Sequence, residues 1–191
     1  MTDPNLVEAS SPAESPRGAP PDNHKERLAD LRLHHSYRKG THDIARDFYV
    51  PCMERASSYD RAVGYFSSTV YALAWGALKE FVLRGGKIRI VCSPALSLSD
   101  IEALEEGYEE ANAERLRDEV ERLLADPRLR KPTRVLAALV AVGALEFRVA
   151  FVGPEAREHR RIFHDKVGIF ADSEEARVVF KGSMNETWSG L

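Results

Sequence analysis

The chain has 191 residues, 43% of them hydrophobic and 30% charged, with a net charge of −3 at neutral pH. That balance fits one soluble domain with a sizeable core and excludes a charge-dominated disordered chain. Two cysteines, Cys52 and Cys92, lie forty residues apart without His or Cys companions at metal spacing. A disulfide framework or a zinc site is therefore not expected, and both thiols read as core fillers in a reducing compartment.

Five of the ten prolines fall within the first 21 residues, so positions 1–23 read as a disordered leader, and residues 24–191 as a single domain. The leader lacks the apolar run of a secretory signal, and the most apolar stretch, residues 135–145, is too short to span a bilayer. The expected location is cytoplasmic. Residues 24–58 space Leu28, Leu31, Ile44, Phe48 and Cys52 at helical intervals, which predicts two helical pieces broken at Gly40 and Pro51. His34 and His35 then fall at a helix end, where adjacent histidines face different directions and make a poor metal site.

"YDRAVGYF" (59–66) predicts a strand. A helix capped near Ser67–Thr69 follows and stops at Gly85-Gly86, with Tyr71, Trp75 and Phe81 in the core. "KIRIVCSP" (87–94) predicts a second strand, so strand, helix and strand form a βαβ unit with parallel strands. The stretch from Ser99 to Pro127 predicts an amphipathic helix kinked at Gly107, and a further helix covers about 133–143. "LEFRVAFVG" (145–153) alternates as a strand does. The fold class expected is α/β, a mixed sheet flanked by helices with the site at strand ends.

Charge is segregated along this path. Residues 99–126 hold eleven acidic and three basic residues, a net of −8, which leaves +5 for the remainder. Arg128, Arg130, Lys131, Arg134, Arg157, Arg160 and Arg161 are able to follow a nucleic-acid backbone or to form an ordinary solvated face. His159, among the arginines of the basic loop, reads as a solvated residue.

The stretch "FHDKVGIFA" (163–171) patterns as a strand with His164, Lys166, Gly168 and Phe170 on one face. Residues two apart on a face are roughly 6.5–7 Å apart, close enough to engage one phosphate. An acidic turn, a second strand "RVVFK" and then "GSMNET" follow. Ser183 and Asn185 offer donors, Gly182 permits close approach of a ligand, and Ser183-x-x-Glu186 fits a capping box at a helix start. A neutral imidazole is able to attack the phosphorus of a phosphodiester, while the ammonium and the Ser183 and Asn185 donors stabilise the charge that grows on its oxygens. No acidic cluster near these residues suggests a metal, and no cofactor is expected.

His164-x-Lys166 followed by Gly182-Ser183-x-Asn185 resembles the phospholipase D superfamily, whose hallmark is His-x-Lys, then Asp, then Gly-Ser-x-Asn. The match is tight over about 162–187. More loosely, "AVGYFSS…GGKIRIVCSP" is similar in style to the phospholipase D-like domains of bacterial nucleases and helicase-associated proteins. The resemblance implies a phospholipase D-like fold, His164 as the nucleophile forming a phosphohistidine, Lys166 and Asn185 as phosphate binders, and Ser183 as a supporting donor. Two departures stand out. Asp172 follows Lys166 after five residues where the family has four, so it is left out of the expected site. The family also builds one site from two such motifs, and this chain carries one.

The second half-site is thus expected from a homodimer or from a missing part of a longer chain, an ending at "WSGL" reading as interrupted. The leading expectation is a metal-independent phosphodiesterase, a nuclease domain acting on nucleic acid, with DNA the foremost partner. The alternative is a non-catalytic phosphate- or nucleic-acid-binding module of a larger helicase-like or restriction-type protein. A lipid phosphodiesterase ranks last, because no basic amphipathic helix offers a membrane-facing surface.

Overall fold

A computed structural model describes residues 27–109, 131–153 and 163–185. Within them lies a five-stranded mixed sheet of β1 (Ser58–Val63), β2 (Lys87–Cys92), β3 (Leu145–Val149), β4 (Lys166–Ala171) and β5 (Arg177–Lys181), in the order β3-β2-β1-β4-β5. β1, β2 and β3 are parallel, β4 is antiparallel to β1, and β5 is antiparallel to β4. The helices are α1 (Val50–Arg55), α2 (Val70–Leu73), α3 (Trp75–Leu83), α4 (Leu98–Glu109) and α5 (Pro132–Ala141). The protein is therefore α/β, and the expected parallel βαβ unit is present.

Alternation decides the layers. Tyr59, Arg61 and Val63 of β1, Ile88, Ile90 and Cys92 of β2, and Lys166, Gly168 and Phe170 of β4 share one buried face. The core gathers on that face, with Tyr71, Trp75 and Phe81 inside it as expected. The opposite face carries Asp60, Arg89, Glu146 and Arg148, joined by the Arg89–Asp60 and Arg148–Glu146 ion pairs. Among the described residues no helix is long and apolar enough to cross a membrane.

Several joints follow from local chemistry. α3 ends where Gly85 takes φ 81°, and the Gly86 N–H donates back to the Phe81 carbonyl at 2.9 Å, closing the helix as the glycine pair predicts. Gly107 is a packing residue of α4, because a Cβ there would lie 2.6 Å from the Ala137 carbonyl of α5. The α4–α5 contact needs that bare backbone. Residues 110–130, which hold the rest of the expected amphipathic helix, lie outside the described residues.

Three expectations are corrected. The first helical piece of 24–58 shrinks to one 3-10 turn, Leu28–Asp30, and residues 31–43 run irregularly through a turn at Gly40, φ 86°. His34 and His35 therefore sit in an irregular segment and not at a helix end. Pro51 does not break the second piece. A π-helical turn, Ala45–Tyr49, leads directly into α1, and the proline occupies the first turn of α1, where its missing N–H is tolerated. Finally, the helix expected after Ser67–Thr69 is interrupted at Ala74, which separates α2 from α3.

Candidate functional site

The topology brings distant segments to one edge of the sheet. β1, β2 and β3 end there, β4 begins there, and β5, antiparallel to β4, also ends there. Val63 pairs with Lys166, so the residues after β1 meet the residues before β4. The Gly182 N–H donates to the Lys166 carbonyl at 3.2 Å, which binds the glycine-serine turn to the start of β4. The carboxyl ends of parallel strands are the usual place for a ligand in an α/β sheet.

Lys166 opens β4 on the covered face and is only 8% exposed. Among the described residues its ammonium donates to one acceptor, the His164 carbonyl at 3.1 Å. An ammonium has three donors, so two remain for something else. Beside it Arg61, 3% exposed, donates to the Met184 carbonyl at 2.6 Å and lies over the Phe180 ring at 4.9 Å. Gly168 explains that ring's seat: a Cβ at Gly168 would lie 2.2 Å from Phe180 Cζ. The glycine leaves room for an aromatic side chain from the neighbouring strand.

His164 precedes β4 and is exposed, so it does not share a strand face with Lys166 as expected. β4 starts three residues later than the expected strand of 163–171, and the residues before it lie beside those that follow β1. There the imidazole packs edge-on against Tyr65, with centroids 5.4 Å apart, and a Cβ on Gly64 would come within 2.3 Å of its Nδ1. Asn185 joins the same corner: its Oδ1 accepts the Tyr65 N–H at 3.2 Å. Tyr65 thus touches His164 with its ring and Asn185 with its backbone. His164 and Asn185 therefore meet at Tyr65, just past β1, with Lys166 opposite Val63 beside them, while Ser183 stays exposed on the adjoining turn.

Lys166, Ser183, Asn185 and Arg61 line one end of a cavity of about 970 Å³, whose other walls come from the 33–39 segment and β5. His164 stands outside that lining, one hydrogen bond away through Lys166. Among the described residues no group of three His, Cys, Asp or Glu side chains is arranged to hold a metal ion.

Asp172 has a different task. It lies beyond the far end of β4 from Lys166, and its carboxylate accepts N–H groups from Glu174 (2.9 Å), Ala176 (3.0 Å) and Leu28 (2.9 Å). It shapes the β4–β5 turn, in which Glu175 takes φ 66°, and pins the 3-10 turn onto it. The capping helix expected from Ser183, His159, and Arg128, Arg130, Arg157, Arg160 and Arg161 lie outside or reach beyond the described residues; Lys131 and Arg134 are exposed.

Gly64, Tyr65 and Arg61 were not among the expected site residues. They sit about one hundred positions upstream of His164, and only the β1–β4 register joins them to it. The one sequence signal was a glycine followed by an aromatic at the end of "YDRAVGYF", where a buried strand gives way to a tight approach. No model of a known protein family matches the chain, and a search of curated proteins finds no match.

Proposed function

We propose that the protein is a phospholipase D-like phosphodiesterase with one His-x-Lys half-site, acting on nucleic acid without a metal. The observation that carries this reading is the buried Lys166 ammonium, which faces a cavity shared with Ser183 and Asn185 and spends one donor on the protein. Burying a cation costs free energy unless an anion or hydrogen bonds offset it, so an anionic ligand suits this place. The resemblance of the two linked motifs to the phospholipase D superfamily supports the same reading.

In the proposed reaction a neutral His164 nitrogen attacks the phosphorus and forms a P–N bond as the P–O bond to the leaving group breaks. The Lys166 ammonium and the Asn185 amide, with Ser183, stabilise charge on the non-bridging oxygens. The leaving oxygen takes a proton from a second imidazole, which a second copy of the chain or a further segment supplies. Water then gives a proton to that second imidazole as it attacks the phosphorus, the P–N bond breaks, and neutral His164 is restored. In this scheme His164→Ala abolishes cleavage that persists in EDTA; cleavage stopped by EDTA would overturn it.

A second reading has its own support. The His164 ring lies outside the cavity lining, so the cavity is able to grip phosphates without turnover, as a binding module of a larger helicase-like or restriction-type protein. Salt-dependent DNA binding without any covalent phospho-enzyme is its signature.

A further inference from the structure

The cavity extends well beyond the four residues of the proposed phosphoryl site. Its described lining includes Arg38, Lys39, Arg61, Lys166, Arg177 and Lys181, and it contains no Asp or Glu. In a chain of net charge −3, a lining with six basic and no acidic residues is a local excess of positive charge. Arg38, Arg177 and Lys181 are exposed, and among the described residues no carboxylate pairs with any of them.

β5 adds donors of another kind. Gly182 donates to Lys166, and Asp172 donates to Ala176, so the even-numbered residues of this stretch exchange hydrogen bonds with β4. In an antiparallel ladder the intervening residues turn their backbone groups the other way. The N–H groups of Arg177, Val179 and Lys181 therefore face the free edge, to which no other described strand pairs. From Arg177 to Lys181 the edge measures about 13 Å at roughly 3.3 Å per residue. Across the cavity His34 and His35 are exposed, and His34 packs against the Tyr37 and His42 rings.

We propose that this groove, between the 33–39 segment and the edge of β5, holds one strand of a nucleic acid and leads it to Lys166. The proposal rests on the phosphate-handling reading of Lys166. Arg177 and Lys181 pair with Ala171 and Val167, so they leave β5 on the face opposite Lys166 and border the cavity at the free edge. Cations and edge amides at both ends of a short strand match successive phosphates, and rings on the opposite wall match bases, the combination that binds single strands. A duplex pairs its bases away from such rings and has a major groove alone about 12 Å wide, so it meets this concavity only with its backbone.

The test is fluorescence anisotropy with the full chain and a labelled twelve-nucleotide single strand, titrated with salt. Each phosphate contact removed lowers the slope of log affinity against log salt by about 0.7 for a single strand. Arg38→Ala with Arg177→Ala and Lys181→Ala should reduce the slope by roughly 2, with an unchanged melting temperature. A duplex, an abasic strand of equal charge and a poly-glutamate peptide should each bind at least about fivefold more weakly than the single strand, since stacking adds to charge. An unchanged slope in the triple variant overturns the groove. Equal or tighter binding of the duplex, abasic strand or peptide overturns its assignment to a single strand. Turnover is read separately: a chain that binds through these residues but never cleaves leaves the groove standing and removes the catalytic reading.

Discussion

Replacing Gly64 with alanine isolates the position of the His164 imidazole. The added Cβ would sit 2.3 Å from Nδ1 and 2.9 Å from Cε1, whereas ordinary contact begins near 3.4 Å. The ring must retreat by the difference, about 1.1 Å, and give up its edge-on contact with Tyr65. His164 is exposed and its side chain is free to swing, and Gly64 has a φ that alanine accepts, so folding is little affected. The loss of unfolded-chain entropy contributes about 0.4–1 kcal/mol in favour of the variant, which offsets the repacking. A displacement of about 1 Å in a reacting group is enough for a 10²-fold loss of rate. With a chromogenic phosphodiester that the wild type cleaves, kcat should fall about 10²-fold, KM should stay within roughly threefold, and the melting temperature within about 3 °C. A variant with wild-type kcat would refute the placement of His164 as the attacking group. A loss that tracks the melting temperature would show a folding defect instead.

Other outcomes follow from the same contacts. Asp172→Ala removes the acceptor of three N–H groups and should cost about 2–4 kcal/mol, read by urea denaturation, since charged hydrogen bonds are worth more than neutral ones. Gly168→Ala drives a Cβ into Phe180 and should destabilise by about 1–3 kcal/mol, with the loss seen in the same urea titration; Phe180→Leu in the same chain should restore part of it. Burial pushes the Cys52 and Cys92 thiols up to about 12. A thiol that keeps its proton in the fold, where the unfolded chain has lost it, makes stability fall as pH rises above about 8.5 and on towards that value. Each contributes at most about 1.4 kcal/mol per pH unit, and Cys52→Ala should make the alkaline decline shallower. Neither thiol should react with iodoacetamide at pH 8 until the protein unfolds.

The strands were legible because their patterns are strong. β1, β2 and β5 each alternate over five or six residues, and glycine pairs or turns bound them. The site was legible only as two linked motifs. His164 was read as part of the strand, yet β4 begins at Lys166 and the imidazole packs on Gly64 and Tyr65, a contact made in space and not along the chain. Gly168 read only as a gap on the Lys166 face and is filled by Phe180, since a sequence does not reveal which side chain crosses from the neighbouring strand. Pro51 read as a break because the widened turn that precedes it has no periodic signature. The basic groove was missed for a similar reason: Arg38 and Lys39 lie far from Arg177 and Lys181 in sequence and meet only across the fold.

The proposed reaction turns on a bond between phosphorus and one imidazole. A labelled oligonucleotide incubated with the protein in EDTA, quenched in alkali during turnover and digested, should leave the label on the peptide that contains His164 and on no other. His164→Asn should leave none. Turnover by the wild type with no trapped label, or label on the His164→Asn protein, would contradict the mechanism.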